Sequence, residues 1–315
     1  MAAEVEALNA QASVLVRRGL KWVKEGRPGA AAGALDCFDR ALALRLTLPI
    51  AQAPHLQYDL AGTWLNRAAI LVGTGREFDR TAAMAAYEAA LTLLGDLPLT
   101  ADPRFPRRLA IAHQNRGMAL LIQGGPLVAA AVTAFLRAIR VLDQSASQAI
   151  GDRTHLMATA WVSLADAQAT EGHEASSRDA IASTQQALSL IAGTERSDVT
   201  SAAVGLKARH VCCRALAQCL PPTGDAAAAL LDDVHLATDT ADEGLSLARH
   251  WQALGVTRFR RLADDLFRFG ARVYARHQPR FLHEFVIEHR SGTSLPAERG
   301  PDGGPVPLAL VFSGR

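Results

Sequence analysis

The chain has 315 residues, enough to bury a continuous core, and 49% of them are apolar, mostly Ala and Leu, with only 5% aromatic. Ala and Leu are strong helix formers, whereas strands draw on Val, Ile, Tyr, Phe and Thr, so the composition points to an all-α protein. A formal charge of +2 excludes a molecule-wide field for nucleic acid or an anionic membrane and leaves only local patches for such contacts.

The elements repeat along the chain. A first unit, near residues 4–47, reads as a helix carrying Arg17-Arg18-Gly19 and Trp22 up to Gly26. A second helix follows with Ala34, Phe38 and Ala41-Leu42. The second unit (near 55–95) repeats this as Asn66-Arg67-Ala68, Leu71 and Gly75, then Ala83, Tyr87 and Ala90-Leu91. The third (near 104–149) has Asn115-Arg116-Gly117, Leu120 and Gly124, then Ala131, Phe135 and Ala138-Ile139. The fourth (near 154–192) has Ser163-Leu164-Ala165, Gln168 and Gly172, then Ala180, Thr184 and Ala187-Leu188. The fifth (near 199–252) keeps Cys213-Arg214-Ala215 and Gln218, but Pro221-Pro222-Thr223-Gly224 replaces the single glycine, and Gly244-Leu245 is displaced.

Equivalent positions recur every 48–50 residues. Residues 19, 68, 117, 165 and 215 are small, which admits a partner helix, and the aromatics at 38, 87 and 135 are expected to fill space between neighbouring hairpins. Glycines 26, 75, 124 and 172 are expected just past helix ends, where a left-handed residue is wanted. Residues 253–290 read as C-terminal capping helices, and 291–315, rich in Gly and Pro, as a flexible tail whose apolar stretch 306–312 is able to dock in a groove.

Small–x–x–large–x–x–x–Gly followed by Ala–x₃–aromatic–x₂–Ala–Leu resembles the two-helix signature of the tetratricopeptide family, over roughly residues 4–250 and with units longer than that family's 34. The resemblance implies a right-handed α-solenoid of about five hairpins, with first helices lining a concave groove. It further implies that residues just before the Arg-small pair face that groove: Arg17, Asn66, Asn115, Ser163 and Cys213, with Gln114 and Asp166 nearby. An asparagine amide both donates and accepts, which suits the backbone of an extended peptide. The same asparagines are equally suited to bonds between neighbouring helices.

The repeated Arg18, Arg67, Arg116 and Arg214 read either as an anion-binding ladder or as structural partners of acids such as Asp39 or Glu88 on a second helix. On the last long helix Arg258, Arg261, Arg268, Arg272 and Arg276 fall within an arc of about 80°, interrupted by Asp265, as a possible basic docking face or a solvated outer surface. No phosphate-binding loop, H-E-x-x-H or G-x-S-x-G occurs. Cys212, Cys213 and Cys219 with His210 lack a second ligand pair, and His283 and His289 lie six apart, about 240° around a helix, so no metal, cofactor or enzymatic activity is expected.

Cys37 and that cluster of three do not form a disulfide framework. Glu4 and Glu6 stand where a secretion signal is basic, and no 18-residue apolar run occurs. The expectation is a cytoplasmic interaction module or scaffold that binds a peptide or protein partner, with neither membrane nor nucleic acid as partner. The alternative is a regulatory sensor acting through a partner effector. The partner's identity and the oligomeric state are not legible in the chain.

Overall fold

A computed structural model describes residues 2–26, 28–144, 149–220 and 231–290; the expected tail at 291–315 lies outside them. Among the described residues there are twelve α-helices and no strand. They divide into two compact units, residues 2–153 and 154–290, and each is described by itself.

The first unit contains α1 (Ala2–Glu25), α2 (Ala30–Arg45), α3 (Pro54–Gly73), α4 (Glu77–Gly95), α5 (Arg104–Gln123) and α6 (Val128–Asp143). Connectors of a few residues separate α1 from α2, α3 from α4 and α5 from α6, so each pair folds back as an antiparallel hairpin. Successive hairpins meet through α2 on α3 and α4 on α5, and α3 also touches α5. Gly26, Gly75 and Gly124 follow the first helices with φ between +59° and +70°, the region where a side chain would strain the backbone.

Phe38, Tyr87 and Phe135 are fully buried. Their place differs from the expected one between hairpins. A Cβ on Gly19 would stand 2.6 Å from the Phe38 ring, and one on Gly117 would stand 2.6 Å from Phe135. The Phe38 and Phe135 rings each lie on the glycine of their own hairpin, because a missing side chain is what lets the two helices close on a phenyl face.

The stretch Gly125–Asp143 has the length and hydropathy of a membrane-crossing helix. Residues Ala131, Ala134, Phe135 and Ala138 form its buried face, and α6 packs on α5.

The second unit contains α7 (Arg153–Glu171), α8 (Glu174–Ile191), α9 (Val199–Cys219), α10 (Leu231–Ala253), α11 (Arg260–His277) and α12 (Leu282–Arg290). Gly172, φ +80°, separates α7 from α8. Ala158 and Val162 of α7, Ala187 and Ile191 of α8, and Val204 and Ala208 of α9 form one apolar cluster. The N-terminus of α9 is capped by Asp198, which accepts from the backbone N–H of Thr200 at 3.1 Å and of Ser201 at 2.8 Å. Bonds from the Ser201 hydroxyl and both amides hold its carboxyl down at about 2.

Helix α11 packs on α10 and α9, and α12 packs on α11. Leu266, wholly buried, enters the gap above Gly244, and Phe285 sits against Gly270. Asp242 ties the end together, accepting from the Tyr274 hydroxyl at 2.9 Å and meeting His289 Nε2 at 3.0 Å.

Candidate partner-binding site

The residues expected to line a groove do not share an open surface. Arg17 is exposed on α1. Asn66 and Asn115 are 1% and 2% exposed, and Gln114, Ser163 and Cys213 are buried as well. Helix α3 has α2, α4 and α5 around it, so the register position at Asn66 is turned into helix packing, not towards a guest. Ser163 donates to the Thr159 carbonyl in its own helix at 2.9 Å. The groove assignment for Asn66, Gln114, Asn115 and Ser163 is thereby corrected: a side chain closed off by neighbouring helices has no face to offer a peptide.

Three of the four repeated arginines follow the pairing alternative, and Arg18 is exposed. Arg67 Nε donates to Asp39 at 2.6 Å and Arg116 Nε to Glu88 at 2.6 Å, each reaching the second helix of the preceding hairpin. Arg214 turns to a first helix instead, donating to Asp166 Oδ1 at 2.6 Å.

Asp166, one of the expected groove residues, is the centre of a charge cluster. Lys207 Nζ lies 3.0 Å from its other oxygen. Burial pushes its carboxyl up, but Lys207 and Arg214 outweigh this and hold it below the usual carboxylate range. It stays ionised, and its oxygens are engaged within the unit.

Beside this cluster α9 and α11 diverge to leave a concavity of about 690 Å³. His210, Arg214 and Ala217 border it from α9, and Asp265, Phe267, Arg268 and Arg272 from α11. Arg268 and Arg272 are exposed on its rim; Arg261 and Arg276 on α11 are exposed too, and so is Arg258, which lies in the turn before α11 and not on the helix as expected. Asp265 lies at the edge of ion-pair distance from Arg268, 4.0 Å, and 3.8 Å from His210 Nε2. Burial, reinforced by Lys207, pulls the His210 imidazole below its ordinary value despite Asp265, so the ring is neutral at pH 7 and both donates and accepts. The concavity joins apolar contact area to guanidinium forks matched to carboxylate or phosphate.

Three charged knots escaped the sequence reading. Arg45, 2% exposed, donates to Asn9 Oδ1 at 3.1 Å, to the Asp59 carbonyl at 2.9 Å, to Ser13 and to Thr63. Arg108 lies 3.4 Å over the Tyr58 ring centroid and donates to the Tyr58 carbonyl at 2.8 Å; burial draws its guanidinium down to about 10. Arg209 bridges Glu195 at 2.5 Å and Glu243 at 3.1 Å. Gly205 makes room for that bridge, since a Cβ there would stand 1.7 Å from Glu195 Oε1. The available signal was charge at positions that are apolar in the neighbouring unit, as with Arg45 against Leu94.

Among the described residues no group of three His, Cys, Asp or Glu side chains is placed to hold a metal ion. Cys212 and Cys213 are buried, and burial raises both thiols, Cys213 well above the ordinary range. No protein-family model and no curated protein matches the chain.

Proposed function

We propose that the chain is a non-catalytic interaction module of the cytoplasm, a right-handed solenoid of about five tetratricopeptide-like hairpins that holds an acidic peptide segment of a protein partner. The Gly-on-aromatic contact shared by the first and third hairpins, and the Arg–carboxylate pairs Arg67–Asp39 and Arg116–Glu88 between successive hairpins, support the repeat reading. The observation that carries the binding reading is the α9–α11 concavity, where Arg268 and Arg272 stand exposed over the apolar edges of Ala217 and Phe267. Exposed arginines beside apolar area suit a guest that alternates carboxylates with leucines, because the forks supply orientation and the apolar contact supplies affinity.

The test is fluorescence anisotropy of a labelled 15-residue peptide of alternating Glu and Leu turns against the full chain. Saturable binding that falls about tenfold or more in Arg268→Glu/Arg272→Glu, with helicity unchanged by circular dichroism, is expected. Equal binding by wild type and double variant would refute the site.

A further inference from the structure

Two contacts between successive hairpins use the same chemistry. On α3, Arg67 holds Asp39 of α2, and on α5, Arg116 holds Glu88 of α4, both at 2.6 Å. Three residues before each arginine stands a ring, Trp64 or His113, and three residues after each carboxylate stands a leucine, Leu42 or Leu91. Asp39, Leu42, Trp64 and Arg67 border one shared notch. With the second helix in place, the arginine side chains are only 23% and 21% exposed.

The same register on α1 is Leu15 and Arg18. Here Arg18 is exposed, Leu15 is only partly covered, and the adjoining Val14 is 54% exposed. Trp22, one turn on from Arg18, lies over Gly33 of α2 and is partly buried. No described helix lies on this face as α2 lies on α3. The surroundings are strongly basic: Arg17, Lys21 and Lys24 flank Arg18, and Glu25 is the one acid in this stretch, 3.8 Å from Lys21.

We propose that this face of α1 docks an acidic amphipathic helix of a partner protein. The helix presents a carboxylate to Arg18 and, three residues later, a leucine to the apolar strip of Val14, Leu15 and Trp22. The protein's own α2–α3 and α4–α5 contacts are the template for what covers it, and the excess of positive charge sets the sign of the guest. This surface belongs to the first unit, and the α9–α11 site to the second.

The probe is a labelled peptide of residues 77–96, the α4 sequence, which carries Glu88 and Leu91 and a net negative charge. Titrated with the full chain, it is expected to bind saturably. Arg18→Glu should weaken it about threefold to tenfold, and a peptide carrying Glu88→Arg should recover that loss on the Arg18→Glu chain. Arg140→Glu, exposed on α6, serves as the control and should leave binding unchanged. Absence of saturation up to about 1 mM would overturn the proposal. So would an Arg18→Glu chain that binds like wild type. Concentration-dependent self-association in sedimentation velocity, abolished by Arg18→Glu, would overturn it too by naming a second copy as the occupant.

Discussion

Replacing Gly117 by alanine should destabilise the first unit, although alanine is the better helix former. A Cβ at that position would stand 2.6 Å from Phe135 Cε1 and 2.9 Å from Cδ1 and Cζ. Carbon atoms attract best at about 3.5–4.0 Å, so each of these contacts lies well inside the repulsive wall. Phe135 is 0% exposed and has no free volume to retreat into. Overpacking of this kind costs about 1–3 kcal/mol, and the gain in helix propensity offsets about 1 kcal/mol of it. The net loss is about 1 kcal/mol, or about 2–4 °C in melting temperature for a unit of this size. Gly95→Ala, at the end of α4 where nothing lies within 4 Å of the added carbon, should show only the propensity gain. Thermal melts followed by circular dichroism compare the two. If Gly117→Ala melts at or above Gly95→Ala, the account of the hairpin as a glycine closed on a phenyl ring is wrong. Combining Gly117→Ala with Phe135→Leu should recover much of the loss, a coupling of about 1 kcal/mol in a double-mutant cycle.

Two further outcomes can be checked on the same material. Arg209→Ala leaves Glu195, largely buried, without its cation, and urea denaturation of the second unit should register a loss of about 3 kcal/mol. Burial, with Arg137 and Arg116 adding to it, lowers His113 to about 4. Its folded value lies below the unfolded value of about 6.5, so between those limits the unfolded chain binds more protons. The stability His113 contributes is therefore complete above pH 6.5 and is lost as pH falls towards 4, by up to about 3 kcal/mol. His113→Gln should flatten that acid limb of the stability profile; an unchanged limb would show that the imidazole is protonated freely in the folded protein.

The helical class was legible because helix-forming composition and a recurrent small-residue, aromatic and glycine spacing are local properties. A chain that places Gly at 26, 75, 124 and 172 has already decided where its first helices stop, since positive φ strains any other residue. The pairing of Arg67 with Asp39 and of Arg116 with Glu88 was also within reach, because a repeat carries the same contact from one unit to the next. What lay beyond reach was the direction each side chain takes once three helices surround it. Asn66 and Asn115 have the chemistry of peptide recognition, and only the packing of α3 and α5 among their neighbours turns them inward.

The same limit applies to Arg45, Arg108 and Arg209. Their partners come from residues 14 to 50 positions away, and a charge where the neighbouring unit is apolar, as at Arg45 against Leu94, marks the departure without naming the partner. The stripe of arginines on α11 was read from the helical period alone. Whether that stripe borders a concavity or a bare convex surface depends on how α9 and α11 diverge, and long-range packing alone decides it. Sequence by itself determined which segments are helices, where they end and which faces are oily. Tertiary structure decided which polar groups are consumed in holding helices together and which remain for a partner, because that depends on distances between residues far apart in the chain.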